Sequence, residues 1–349
     1  MKASFVSTTA VSQALRYSMQ RTQSSLVSAQ KEVATGKVAD TGLALGAQTA
    51  QVISFTRDFE RLNGIIDSNA LVSSRLSATQ LALGKLTATA QDFLSTLTTS
   101  ASGDAEASLT RASAATALEQ LTSILNTSQN GEYLFAGVNT DIKPVNDFND
   151  PGSASKTAFD AAFLTHFGFA QSDPAAANIT AAQMDAFITA AVEPQFLGIG
   201  WQAGWSNATD QKIVSRIALN ETTETSVSAN SQSIRKLAMA AASISDLFNS
   251  NLGSAGQKQL IERAISMVGD AIAGLADLQS QTGIVEKRVA DASERIAMQA
   301  SVFEKHVVTL QGVDPYEAST RVADLLSSIE TSYALTARIQ QLSLLRFLG

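Results

Sequence analysis

Cysteine is missing from this 349-residue chain, so disulfides and thiolate chemistry are excluded and a metal site would have to rest on histidine and carboxylates. Histidine is nearly missing too, with only His166 and His306. Neither lies beside a nucleophile motif or a carboxylate pair, so a packed or solvated structural histidine is expected at both rather than a catalytic one. Charged residues are 16% of the sequence and the formal net charge is −7; with no cluster of Lys and Arg to neutralise phosphates, no nucleic-acid partner is expected. The first 37 residues are locally basic (Lys2, Arg16, Arg21, Lys31 and Lys37 against Glu32). Their apolar side lacks an aromatic anchor row, so no membrane partner is expected either. No stretch approaches the ~18 apolar residues of a membrane-spanning helix, and residues 1–10 lack the apolar region of a secretory signal peptide. Export, if it occurs, is expected to proceed without a cleavable signal.

Phosphate loops are also missing. Gly198-Ile199-Gly200 lacks the third glycine and the helix start of a dinucleotide loop and reads as a turn. Asn126, Asn178, Asn207 and Asn220 each open an Asn-x-Ser/Thr match, which a Ser/Thr-rich chain produces by chance. No enzyme activity and no cofactor are expected.

Proline is scarce and unevenly placed. Pro144, Pro151, Pro174 and Pro194 share one stretch and Pro315 stands alone. Because proline breaks helix interiors, the two proline-free arms can form long helices and the middle cannot. Aromatics divide the same way, with 11 of 21 between Tyr133 and Trp205, which predicts a central insert with its own kind of core.

In the N-terminal arm, Leu15, Met19, Thr22, Leu26, Ala29 and Val33 alternate at spacings of four and three and make one stripe. Glycine then ends the helix at Thr35-Gly36-Lys37. The alternation resumes as Val52, Phe55, Phe59, Leu62, Ile66, Asn69, Ser73, Leu76, Gln80, Leu83, Thr87, Ala90, Leu94 and Leu97, a coiled-coil-like seam. A further helix carries Leu109, Leu118, Leu121 and Leu125 and stops by Asn130-Gly131. Tyr133 to Gly137 then reads as a short strand entering the insert. Inside the insert, Thr180 and Gln183 form a capping box and residues 156–169 a second short helix. The segments Trp201 to Trp205, Lys212 to Leu219 and Thr223 to Ser228 have the pattern of strands. The C-terminal arm mirrors the first, with one stripe from Val227 through Ile234, Leu237, Ala241 and Ile244 to Phe248. A second runs from Leu260 to Leu310, a helix of roughly 80 Å at about 1.5 Å per residue.

Asp314-Pro315-Tyr316-Glu317 supplies an N-cap, a proline at the first helical position and an early acid. The helix that follows carries Val322, Leu325, Ile329, Tyr333 and Leu335 and reaches an apolar end from Ile339 to Leu348, which needs a partner. The stripe from Leu15 to Val33 is the nearest match. The expected assembly interface is therefore Leu15, Met19, Leu26 and Val33 on one segment and Leu325, Ile329, Ile339, Leu342 and Leu345 on the other. The expected fold is mainly α: an elongated rod of long terminal helices packed as a coiled-coil bundle, with a mixed α/β insert. Its divisions are a polymerisation helix over 1–37, helical arms over 38–138 and 229–312, an outward insert over 139–228 and a second polymerisation helix over 313–349.

The helix leading into Val33-Ala34-Thr35-Gly36-Lys37, the long arms, the insert and the ending Leu342-Ser343-Leu344-Leu345-Arg346 together resemble the bacterial flagellin family over both arms. Within that family, Asn130-Gly131-Glu132-Tyr133-Leu134-Phe135-Ala136-Gly137 is similar to a segment of the hook-filament junction branch, the FlgL or third hook-associated type. The motif residues are Thr35, Gly36, Lys37, Tyr133, Phe135, Ala136 and Gly137. After Thr35-Gly36-Lys37 the chain departs from the usual acidic pair and has Asp40-Thr41-Gly42-Leu43 instead. The resemblance implies a structural subunit that assembles with itself and stands between a preceding hook-associated protein and flagellin. It also implies export through the flagellar type III apparatus with a chaperone, and terminal segments that close on each other on assembly. A filament flagellin and a non-flagellar coiled-coil adaptor are the alternatives.

Overall fold

The computed structural model describes residues 8–103, 106–248 and 251–348, and side chains over 10–103, 106–248 and 251–338. Lys2 and most of the segment read against a signal peptide lie outside the described residues. The chain divides into two compact units, Met1–Gly64 with Ile296–Gly349, and Ile65–Arg295. Two long helices, α3 (Thr49–Ala101) and α9 (Ser254–Gln311), contribute to both.

The unit of residues 65–295 holds the larger core. Here α3 and α9 are joined by α4 (Ala107–Leu125) and α8 (Gln232–Leu247). The seam expected along α3 is the one that is buried: Leu76, Leu83, Ala90 and Leu97 are closed off from solvent. Two of its polar members donate across to other parts of the chain, although Asn69 Oδ1 is buried without a partner. Asn69 Nδ2 donates to Ile217 O (2.9 Å) and Ser293 Oγ (3.0 Å), and Gln80 Nε2 donates to Gln279 O (2.7 Å). The buried face of α8 is far wider than the stripe of Ile234, Leu237, Ala241 and Ile244. Met239, Ala240 and Ala242 are buried as well, as in a helix surrounded by protein. Its run of alanines lets neighbouring backbones come close on every side.

Between α4 and α8 the chain builds a hairpin of β1 (Ser128–Gln129) and β2 (Glu132–Tyr133). Asn130, at φ 54°, and Gly131, at φ 85°, make its turn, the Asn-Gly pattern of two-residue hairpins. Next come α5 (Ala154–Phe167), α6 (Ala181–Phe187) and α7 (Glu193–Phe196). The Thr180–Gln183 capping box is formed. A second hairpin, β3 (Val214–Ala218) with β4 (Glu221–Glu224), follows in antiparallel register.

Three strand readings are corrected. Of Thr223 to Ser228, only Thr223 and Glu224 lie in the β4 ladder. Trp201–Trp205 is one helical turn. Four residues apart, the two indoles fall on one helical face and stack at 5.6 Å, with Phe148 stacked on Trp205 at 5.0 Å. Of Tyr133 to Gly137, only Tyr133 belongs to a strand ladder, and Ala136 makes a single bridge to Ser228. The aromatic residues of the middle do not form a core of their own. Phe135, Phe159, Phe196 and Trp201 belong to one continuous cluster with Leu83, Leu121, Ile244 and Ala264 of the helices.

Lys156 pins α5 to α8 by meeting Asp160 at 2.8 Å and Asp246 at 2.6 Å. Burial alone pulls its ammonium pKa down, but the hydrogen bonds and charges of Asp160 and Asp246 outweigh that and raise it above the ordinary lysine value. His166 packs edge-on against Phe167 and Phe187.

The unit of residues 1–64 and 296–349 contains α1 (Thr8–Thr35), the short α2 (Thr41–Leu45), the start of α3, the end of α9, and α10 (Pro315–Leu348). Phe55 of α3 lies between Phe303 (5.8 Å) and His306 (5.2 Å, stacked) of α9. Asp314 caps α10 as expected, with Oδ1 accepting from Tyr316 N–H at 2.8 Å.

Candidate assembly interface

Helices α1 and α10 pack on each other within the single chain. They run antiparallel, because Glu32 meets Arg321 (3.0 Å) while Gln23 Nε2 donates to the Tyr333 hydroxyl (3.1 Å). The inner positions of α1 are Leu15, Met19, Thr22, Leu26, Ala29 and Glu32, and those of α10 are Ala318, Val322, Leu325, Ile329, Ser332 and Thr336. Both sets alternate at spacings of four and three, except for the last step of α1 from Ala29 to Glu32, so each offers one continuous stripe.

The structure brings Leu15, Met19, Leu26, Leu325 and Ile329 to this half-buried contact. Val33 is not among them. It is 41% exposed, and the inner place one residue earlier belongs to Glu32, held by Arg321. On α10 the stripe follows Ser332 and Thr336, which leaves Tyr333 52% and Leu335 49% exposed. Tyr333 lies about 60° and Leu335 about 100° around the helix from the middle of that stripe, although both are apolar. Ile339, Leu342 and Leu345 fall on the α10 backbone, and their side chains lie outside the described residues.

Two helices can bury only one stripe each. Among the described residues of the pair, Ala29 and Ala318 alone are fully buried, while Tyr17 (71% exposed), Val27 and Leu326 face solvent. A lone helical pair of this kind is marginal in water, since most helical stability comes from packing an apolar face.

The Thr35-Gly36-Lys37 motif is the end of α1. Gly36 takes φ 67°, the left-handed conformation that a helix end requires and glycine adopts without cost. The Tyr133 to Gly137 motif lies in the other unit, where three passages of chain meet. Arg75 binds Glu132 (2.6 Å) and Tyr133 O (2.7 Å). Ala229 N–H donates to Phe135 O (2.8 Å) and Thr209 N–H to Ala136 O (3.1 Å). A Cβ on Gly137, at φ 70°, would come within 2.3 Å of Thr209 Oγ1 and 2.5 Å of Thr209 O. Beside this crossing, buried Asn230 accepts from Trp201 Nε1 and Ser206 Oγ and donates to Ala208 O and Asp210. The motif thus fastens the entry and exit of the insert. The sequence signal that could have revealed Asn230 and Thr209 was weak, since both look like ordinary loop residues.

Two family models match the chain. The bacterial flagellin N-terminal helical region matches residues 6–140 and the bacterial flagellin C-terminal helical region matches residues 265–348, together more than half of the chain. The chain belongs to the bacterial flagellin family. No curated protein matches the sequence. Among solved structures, this flagellin-family chain is similar to a protein of Vibrio parahaemolyticus described as a flagellar hook-associated protein. The TM-score is 0.52 at 10% identity, with 75% of this chain and 96% of that chain covered. A likeness at that identity concerns the fold. As a flagellin-family protein, the chain is a structural component of the bacterial flagellum, with self-assembly and flagellar partners implied by that context.

Proposed function

We propose that the chain is the hook-filament junction subunit, the FlgL type, which stands between a preceding hook-associated protein and the flagellin filament. The observation that carries this reading is the fold likeness to the Vibrio hook-associated protein, which extends over nearly the whole of that chain. The similarity of Tyr133 to Gly137 to the junction branch adds to it, although in this fold those residues fasten the insert.

Assembly is proposed to work through the terminal pair. In one subunit α1 and α10 are marginal together. In a stack of subunits, Tyr17, Val27, Leu326, Tyr333 and Leu335 gain neighbours and the stripe of Leu15, Met19, Leu26, Leu325 and Ile329 closes fully. Burial of each large side chain contributes about 1.5–3 kcal/mol, so several together decide whether the pair stays formed. Ile339, Leu342 and Leu345 are assigned to the same interface, and Val33 to its rim. The subunit is proposed to travel unfolded through the flagellar type III apparatus with a dedicated chaperone, which a chain free of cysteine suits. Its chemistry is mechanical, adapting a flexible hook to a stiffer filament.

Labelled antibody against this chain on intact flagella tests the axial position. The junction reading expects one band just beyond the hook. Label along the whole filament would make the chain a filament flagellin instead.

A further inference from the structure

The two chain breaks that lead into and out of the terminal pair are tied to each other. Val38 N–H donates to Gln311 O (2.9 Å) and Val313 N–H donates to Gly36 O (3.0 Å), so Lys37 and Gly312 form an antiparallel bridge. Each side is anchored to its own helix, Gly36 N–H on Glu32 O (2.8 Å) and Gly312 N–H on Val308 O (2.6 Å). The Thr35 hydroxyl donates to Lys31 O (2.8 Å) and accepts from Lys37 N–H (3.3 Å).

One carboxylate spans the arrangement. Glu32 Oε1 accepts from Ala39 N–H (3.1 Å) on the first break, and Oε2 pairs with Arg321 (3.0 Å) on α10. Arg321 also meets Glu317 at 2.8 Å. The Glu32 side chain is only 13% exposed, and charge-assisted hydrogen bonds sheltered in this way are stronger than those on an open surface.

We infer that the two breaks work as one paired hinge with Glu32 as its bolt, so that both connections open together and α1 with α10 reorients as a single body. Two independent linkers would leave each strand free to move alone. Here the two backbone hydrogen bonds are adjacent and shared by both strands, so parting either strand loses both, and the modest net contribution of each couples the two breaks. The inference does not depend on the axial position of the subunit.

The test uses the full-length protein and reads each strand after a change in the other. In the unaltered chain, the Val38 and Val313 amides are expected to show one common degree of protection from hydrogen exchange relative to their unfolded rates. Glu32→Gln keeps the acceptor for Ala39 and removes the charge facing Arg321. It is expected to speed exchange about tenfold at both amides, Val313 on the far strand included. In the opposite direction, Gly312→Ala places a Cβ 2.5 Å from Val308 O and is expected to speed tryptic cleavage after Lys37. Widely different protection at Val38 and Val313, or a Glu32→Gln variant that changes only Val38, would overturn the paired hinge. If Gly312→Ala loses helicity, Glu32→Gln decides alone, since it removes no apolar contact.

Discussion

In residues 65–295, helix α8 is covered on nearly every side, with Ile234, Leu237, Ala241 and Ile244 closed to solvent. In the terminal pair, α1 and α10 share a single stripe of half-buried side chains and leave Tyr17, Val27, Tyr333 and Leu335 exposed. Leucine, alanine and serine supply both regions. What differs is the number of neighbours: α8 lies among α4, α7 and the aromatic insert, while among the described residues α1 has only α10 as a substantial partner. Similar periodicity can therefore encode a core in one place and an unfinished surface in another.

That contrast can be broken most severely in the larger unit. Trp201→Ala removes a buried indole stacked on Trp205 and strips Asn230 of a donor. The expected loss is about 3–5 kcal/mol in chemical denaturation of the monomer. Gly137→Ala is expected to cost about 2–4 kcal/mol, because a left-handed backbone and a clash with Thr209 act together. Thermal unfolding checks it, and a variant that melts like the parent would show that the crossing yields easily.

A smaller effect sharpens the comparison from the other side. Leu26→Asp is expected to leave the main melting transition of the monomer within about 1 kcal/mol of the parent, because its stripe has one partner helix, yet to abolish assembly. Sedimentation and electron microscopy would read the two outcomes separately.

The Lys156 contacts give the smallest change. A lysine pKa raised in the folded chain contributes stability that is present below the ordinary lysine value of about 10.4 and is lost as pH rises past it. Lys156→Met is therefore expected to reduce stability by up to about 1 kcal/mol at pH 7 and to narrow its gap from the parent above that value. Denaturant titrations at pH 7 and pH 11 provide the measurement.

Most of the helical plan was legible because its signals are local. The three- and four-residue alternation from Val52 to Leu97 marks the inner face of α3, and Asp314 with Pro315 marks the start of α10. The errors arose where the period was ambiguous or the partner distant. Trp201 and Trp205 are four residues apart, a spacing that fits both a strand and a helical face, and stacking chose the helix. On α10, Tyr333 lies about 60° from the middle of the stripe and the helical turn favours Ser332. Val33 keeps the four-residue step from Ala29, but the inner place goes to Glu32 because Ala39 and Arg321 hold it there. The shared core of insert and helices was not legible at all, since nothing near Trp201 in the sequence points to Ile244 or Leu83. The bridge between Lys37 and Gly312 joins positions 275 residues apart, and no local pattern announces it.

Removal of residues 1–35 and 315–349 tests most directly whether the terminal pair is the assembly element and residues 65–295 the self-sufficient core. The trimmed chain is expected to keep a cooperative melting transition close to that of the full-length monomer and to form no polymer under conditions in which the intact chain assembles. A trimmed chain that still polymerises, or one that no longer folds, would contradict that division.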